Sequence, residues 1–215
     1  MSPFPVILSA PSGGGKTTIA HELLRQRRDL GYSVSCTTRA AREGEKDGED
    51  YYFLTRDDFA AAQGRGDFAE SAEVHGNMYG TLRREVDRVI ASGLHVVMDI
   101  DVQGTRQFVE VYPQSVLIFV LPPDAGVMLG RLTARGTESA DSLTRRLRSA
   151  VAELRSVDIY GYLVVNDDLG DAVRAISGII DAEEFRLEHV SGYRERVGAL
   201  VADLESELDK MNRSV

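Results

Sequence analysis

Three consecutive glycines, a lysine and two threonines occupy residues 13–18, directly after the apolar run Phe4-Pro5-Val6-Ile7-Leu8. Successive glycines let neighbouring backbone N–H groups turn inward as a nest for an anion. A helix opening on the same residues adds the positive end of its dipole. Lys16 supplies a point charge for β- and γ-phosphates, and Thr17 a hydroxyl for a magnesium ion. The phosphate-loop pattern G-x-x-x-x-G-K-[ST] is met except at its first position, where Ala10 replaces glycine. Strand, loop, lysine, hydroxyl and helix in this order predict a nucleoside triphosphate site over Ser12, Gly13, Gly14, Gly15, Lys16, Thr17 and Thr18. A carboxylate at a second strand end should serve the magnesium, and "LHVVMDIDVQG" offers Asp99 and Asp101. For Asp101 a helix N-cap is the competing expectation.

A second anion site is written further along. In "SCTTRAAREGEKDGEDYYF", Arg39 and Arg42 stand three residues apart and are followed by Glu45 and Tyr51. Guanidinium forks bind phosphate oxygens in pairs, and a tyrosine hydroxyl adds a neutral donor. The stretch "FAESAEVHGNMYGT" then brings Glu70, Tyr79 and Thr81. A carboxylate that accepts from two adjacent donors suits the N1–H and exocyclic amino group of guanine, a pair that adenine lacks. The N-K-x-D guanine motif of signalling GTPases is absent, since Lys46 follows Glu45 and Lys210 follows Asp209. Glu45 carries a plainer reading too, that of holding an arginine in place.

With these residues in hand, the sequence resembles guanylate kinase, the enzyme that moves phosphate from ATP to GMP. The likeness runs from about Val6 to Leu187 and includes "GNMYGT", "DIDVQG", "RLTARGTE", "RRLRSAVAEL" and "VVNDDL" in the family's order. The resemblance implies that Arg39, Arg42, Tyr51 and Tyr79 hold the GMP phosphate, with Glu45 in the same subsite. Ser35, Glu70 and Thr81 would read the base, and Asp99 and Asp101 would serve the magnesium and GMP side of the cleft. Mg²⁺ would sit on Thr17 and, through water, Asp99. Lys16 and Arg42 would act on the transferring group together with Arg135 and Arg146 from a lid, while Asn166 and Asp167 would border the adenine. Ala41 departs from the family's usual proline between the two arginines. Two other readings remain: a related kinase for another small phosphorylated substrate, and a non-catalytic peptide-binding module of the same shape.

Such residues need a scaffold, and the apolar runs supply one. Strands are expected at Phe4–Leu8, Ser33–Cys36, Leu94–Ile100, Ser115–Leu121 and Tyr162–Val165, each a largely continuous run of the kind buried on both faces. Helical patterns follow at Thr17–Arg28, Val102–Val111, Ala125–Ala134 and Leu169–Leu187. The alternation predicts an α/β fold, a P-loop NTPase core with a parallel sheet flanked by helices. Two stretches interrupt it and read as insertions. One holds a helix near Arg56–Gln63 and strand-like pieces at Phe68–Val74 and Met78–Thr81; the other is arginine-dense and turns from loop to helix. The expected organisation is one domain: a core of residues 1–34, 93–124 and 159–187, a GMP-binding region 35–92, a lid at about 125–158 and a C-terminal helix 188–215. In that last segment Val190, Tyr193, Val197, Leu200, Leu204, Leu208 and Met211 form an apolar stripe, expected to pack on the protein's own surface, with a dimer contact as the alternative.

Composition narrows the partners. A net charge of −9 disfavours nucleic acid, and no apolar run is long enough for a membrane span. One cysteine, Cys36, rules out a disulfide framework. With no targeting pattern at the N-terminus, a cytoplasmic location is expected. The expected ligands are therefore ATP, GMP and Mg²⁺.

Overall fold

The structure, a computed structural model, describes residues 2–74, 76–133 and 140–213. Its centre is a five-stranded parallel sheet built from β1 (Pro5–Ser9), β2 (Leu30–Tyr32), β7 (His95–Asp99), β8 (Val116–Leu121) and β9 (Tyr162–Val165), in the order β2-β7-β1-β8-β9. All four pairings are parallel, which requires a crossover between each pair of strands. The crossovers include helices α1 (Lys16–Gln26), α3 (Arg83–Ala91), α4 (Val102–Val111) and α5 (Ala125–Thr133), with α7 (Leu169–Glu183) following β9. Val6, Ile7 and Leu8 are fully buried because β1 has neighbours on both edges and helices on both faces. On one face Ile19, Leu23, Ile176 and Ile180 of α1 and α7 cover Val6 and Leu8. On the other, Val86, Val89 and Phe108 of α3 and α4 cover Ile7 and Met98. Truncating any of the larger side chains here to alanine would cost about 2–5 kcal/mol.

A second, four-stranded sheet holds β4 (Tyr52–Phe53), β3 (Ser35–Thr37), β6 (Asn77–Leu82) and β5 (Phe68–Val74), in that order. Helix α2 (Arg56–Gly64) starts on a Thr55 cap and packs Phe59 and Ala62 beneath it. The sheet is tied to the core through α4, where the Gln107 amide accepts from Ser71 N and donates to Ser71 O at 3.1 and 3.0 Å. An arginine-rich helix, α6 (Ala140–Leu154), closes over the loop after β1. Among the described residues no helix is long and apolar enough to cross a membrane.

Four expectations change. The strand expected at Ser33–Cys36 is not a member of the parallel sheet; β2, at Leu30–Tyr32, takes that edge, and Ser35–Thr37 opens the second sheet. Gly31 hid β2, because it breaks the apolar run. It is needed there: a Cβ at Gly31 would stand 2.5 Å from Val89 Cγ1, so only glycine lets α3 approach. Helix α7 stops at Glu183 rather than Leu187, and a 3-10 turn at Leu187–His189 and Gly192 at φ +65° separate it from α8 (Tyr193–Arg213). The stripe on α8 does not pack on the protein's own surface; Val197, Leu200, Leu204, Leu208 and Met211 are all exposed. Within residues 35–92, α3 packs on the main sheet, so the second sheet proper spans residues 35–82.

His95 is a packed strand residue, as its apolar run implies. It lies against Phe4, with ring centroids 4.0 Å apart, and accepts from Phe4 N at 3.2 Å. His189 stacks on the same Phe4 ring, with centroids 4.2 Å apart.

Candidate active site

The carboxyl ends of β1, β7 and β9 point to one crevice, the place where open parallel sheets bind their ligands. From β1 the chain passes through Ala10 and Pro11 into the glycine loop. Gly13 and Gly15 adopt φ +86° and +91°, left-handed values that favour glycine. Gly14 is needed for space, since its Cβ would stand 2.5 Å from the Ala10 Cβ. Helix α1 begins at Lys16 with no side chain capping its first turn, so its amides face the loop's concave side. Lys16 is partly buried; Thr17 and Thr18 are exposed at the mouth.

Other elements grip this loop. The Asn166 amide, just after β9, donates to Gly14 O at 2.9 Å and is buried. Its own carbonyl accepts from Arg131 Nη2 on α5 at 3.2 Å. Arg146 on α6 is only 6% exposed and donates from Nε and Nη2 to Ser12 Oγ at 3.2 and 3.1 Å. On the same helix Glu153 accepts from Ser12 N at 3.1 Å, and burial raises its carboxyl while nearby Lys16 lowers it. Asp167 is exposed beside Asn166.

The two aspartates at the end of β7 have separate duties. Asp99 accepts from Thr17 Oγ1 through Oδ2 and from Tyr32 OH through Oδ1, the latter at 3.1 Å. A hydroxyl and a carboxylate touching at the loop's end form a hard oxygen pair of the kind magnesium accepts. Asp101 caps α4, accepting from Gly104 N at 2.7 Å, so the helix-cap expectation holds for it.

Across the crevice the second sheet presents two groups of side chains. Strand register puts Ser35 opposite Thr81, and Thr81 opposite Glu70, so three polar residues line up across β3, β6 and β5. Glu70 is buried and accepts from Thr81 Oγ1 at 2.7 Å. Burial pushes its carboxyl up to about 7, opposed by the Thr81 hydrogen bond and aided by the Asp101 charge. A Cβ on Gly104 would stand 2.4 Å from Glu70 Oε2, so glycine at that position makes room for the carboxylate. In the second group, Arg39 donates to both Glu45 oxygens at 2.9 Å and lies 5.4 Å above the centre of the Tyr51 ring. Tyr79 completes it, with an edge-on contact to Tyr51, ring centroids 6.1 Å apart. Burial pushes the Tyr51 hydroxyl up to about 12, with the Asp99 charge second, so both tyrosine and arginine stay as donors at neutral pH. Glu45 also accepts from Arg42 N at 2.7 Å; the Arg42 side chain itself is exposed.

A glycine loop with its aspartate thus faces a sheet that carries a buried carboxylate and an arginine–tyrosine cluster. The family model for guanylate kinase matches residues 2–183. The chain belongs to the guanylate kinase family. Its relatives include guanylate kinases of Geobacter metallireducens, 43% identical over 84% of this chain and 89% of that protein, and of Clostridium perfringens, 40% identical over 98% and 93%. Among solved structures, the guanylate kinase of Anaplasma phagocytophilum superposes with a TM-score of 0.75 at 34% identity, covering 90% of this chain and 93% of that one.

Most of the residues singled out in the sequence lie around this one crevice. Arg135 lies outside the described residues. Arg146 reaches the glycine loop through Ser12, because α6 lies against it. Phe53 also lies beneath Arg39, with its ring centre 5.9 Å from the guanidinium carbon. Three residues escaped notice. Tyr32 reaches Asp99 from the edge strand hidden by Gly31. Glu153 stands among arginines on an amphipathic helix, where a carboxylate reads as a surface ion-pair partner. Arg131 is partly buried, and its Nη1 is buried with no hydrogen-bond partner among the described residues. That unpaired guanidinium N–H beside the glycine loop marks Arg131 only once the chain is folded.

Proposed function

We propose a division of labour in which the glycine loop takes ATP and the second sheet takes GMP. The reaction is transfer of the γ-phosphoryl group of ATP to GMP, giving ADP and GDP. The observation that carries the assignment of GMP to this pocket is the Glu70–Thr81–Gly104 arrangement: a buried carboxylate with one oxygen held and space made for the other. Guanine's N1–H and amino group would donate to it, with Ser35 and Thr81 beside them. Arg39, Arg42, Tyr51 and Tyr79 would receive the GMP phosphate. Glu45 would keep Arg39 in place by its paired hydrogen bonds rather than meet the nucleotide.

On the ATP side, Gly13 to Thr18 would cradle the phosphates, and Asn166 and Asp167 would border the base. The buried Arg131 Nη1 would find its missing acceptor on a phosphate oxygen, alongside Lys16, Arg146 and Arg135. Thr17 and Asp99 would hold Mg²⁺, Asp99 through water, and the ion when bound would neutralise charge on the β- and γ-phosphates. The acceptor oxygen of GMP is already ionised, so no general base is required. What the side chains contribute is alignment and charge stabilisation on the equatorial oxygens. Closing α6 and the second sheet on the core would keep water from competing with GMP. A reducing cytoplasm suits the single buried thiol, Cys36.

A coupled assay of ADP release with GMP, AMP, CMP and UMP tests the assignment. GMP should be turned over at least ~10⁴-fold more efficiently than AMP, the discrimination expected of a site built to bond a donor. Comparable rates with AMP or a pyrimidine would assign the cleft to another acceptor. An intact loop with Lys16 and the Thr17–Asp99 contact weighs against a non-catalytic peptide module.

The Glu153–Ser12 contact yields a separate expectation. Ser12 N is a donor of the loop that the triphosphate should use, and Glu153 holds a negative charge on it. Glu153→Gln should lower the KM for ATP several-fold, since a like charge near the phosphates is removed at about 1 kcal/mol. The KM for GMP should stay unchanged. An ATP KM that rises instead would make Glu153 a prop for the loop.

A further inference from the structure

Tyr32 ends the edge strand β2, where strand register sets it beside Val97 of β7. Paired residues share a face of the sheet, and so do residues two apart along a strand, so Tyr32 and Asp99 look to the same side. The Tyr32 ring is half-buried and lies edge-on to His21 of α1, with centroids 5.9 Å apart. Its hydroxyl donates to Asp99 Oδ1 at 3.1 Å. A phenol keeps its proton at neutral pH, so Tyr32 is the donor of this pair. The other oxygen of the same carboxylate is committed as well, since Oδ2 accepts the proton of Thr17 Oγ1. A hydroxyl has one proton and two lone pairs, so Thr17 keeps both lone pairs free to face a cation. Where they point is then set by where Oδ2 stands. The torsion before a carboxyl group is broad, and Asp99 is only half-buried at the mouth of the crevice. A second hydrogen bond, on its other oxygen, is what fixes its plane.

We propose that Tyr32 is the positioning residue of the magnesium site: acting through Asp99, it aims the Thr17 hydroxyl at the ion and never touches the ion itself. This role rests on the reading of Thr17 and Asp99 as the magnesium pair. The hydrogen-bonded line Tyr32–Asp99–Thr17 joins β2, β7 and α1, three elements that meet only in the folded chain. Outer groups of this kind orient the inner ligands, and their loss commonly costs about 10–100-fold in metal affinity or activity.

Tyr32→Phe removes one oxygen and keeps the ring against His21. With Mn²⁺ as the probe, electron paramagnetic resonance of the free ion should show its dissociation constant from the protein–ADP complex raised about tenfold. The affinity for ADP measured in EDTA should match the parent, because the glycine loop is untouched. In the assay, the Mg²⁺ concentration for half-maximal rate should rise by a similar factor while the KM for GMP stays unchanged. Asp99→Ala should weaken Mn²⁺ too, and Tyr32→Phe added to it should cost nothing more, since Tyr32 acts only through that carboxylate. Parental Mn²⁺ affinity in Tyr32→Phe beside a loss in Asp99→Ala would overturn the role of Tyr32 and leave the magnesium pair standing. Parental affinity in both variants would overturn the pair, and the role with it. Losses that multiply in the double variant, or a loss of ADP affinity in EDTA, would make Tyr32 a prop for the cleft and end the proposal.

Discussion

Lys16→Ala lowers kcat by on the order of 10²–10³-fold while the melting temperature stays within a degree or two of the parent. The two halves of this expectation come from different features of one residue. Lys16 opens α1 at a point where Gly13 and Gly15 have already bent the backbone, so the nest forms without it. Its side chain lies near the Glu153 carboxylate on the crevice side and belongs to none of the apolar clusters. Removing it should therefore cost no more than a surface substitution, about 0.5 kcal/mol. The transition state is another matter, because charge gathers on the phosphoryl oxygens there, and one preorganised donor in a dry site is commonly worth about 3–4 kcal/mol. Steady-state kinetics beside a circular dichroism melt decide it. Activity above a tenth of the parent would move the phosphate site away from this loop, and a large drop in melting temperature would make Lys16 structural.

The cleft divides into parts that residue types announce and parts that only packing creates. The glycine loop announces itself because the chemistry is imposed on the backbone: positive φ at Gly13 and Gly15 and the tight space at Gly14 permit no other residue. Glu70 stood out in the chain as a carboxylate in the same short stretch as Tyr79 and Thr81, a span that gathers donors and acceptors. Asp99 and Asp101 looked alike in the chain, two carboxylates two residues apart after one strand. Their separate duties arise from where the strand ends: Asp99 is its last residue and reaches Thr17, and Asp101 is the first to see a free helix amide. Tyr32, Glu153 and Arg131 could not be read, because each acquires its role from an element far away in sequence. The edge strand was lost for a local reason, the glycine that lets α3 come close. The α8 stripe was legible as a stripe, but periodicity says only that one face is apolar and not what covers it.

The buried carboxyl proposed to read guanine would also make catalysis depend on pH. Glu70 has its carboxyl pushed up to about 7, chiefly by burial, from an ordinary value near 4.5. Only the ionised form accepts from both N1–H and the amino group; the protonated form offers a donor where guanine also offers a donor. A folded value above the unfolded one means that the protonated form is favoured in the fold. The ligand-free protein therefore loses stability as pH rises from about 4.5 through 7, over the range in which the site becomes competent for GMP. The KM for GMP should accordingly rise as pH falls below 7, approaching tenfold per unit, with kcat changing less. Glu70→Gln should remove that dependence, because an amide does not titrate, and leave only the shallower response of the GMP phosphate near pH 6. The same variant should erode the preference for GMP over AMP in kcat/KM, mostly through poorer use of GMP, because the amide can turn its NH₂ toward the bare N1 of adenine. Guanine would trade a charge-assisted pair of hydrogen bonds for a weaker neutral one at best. Two curves settle the matter: kcat/KM for GMP and for AMP, each followed from pH 5.5 to 8.5 in parent and variant. A parental GMP profile that is flat across pH 7, or a variant that keeps the parental GMP-to-AMP ratio, would take base reading away from Glu70 and leave it to Ser35, Thr81 or Asp101.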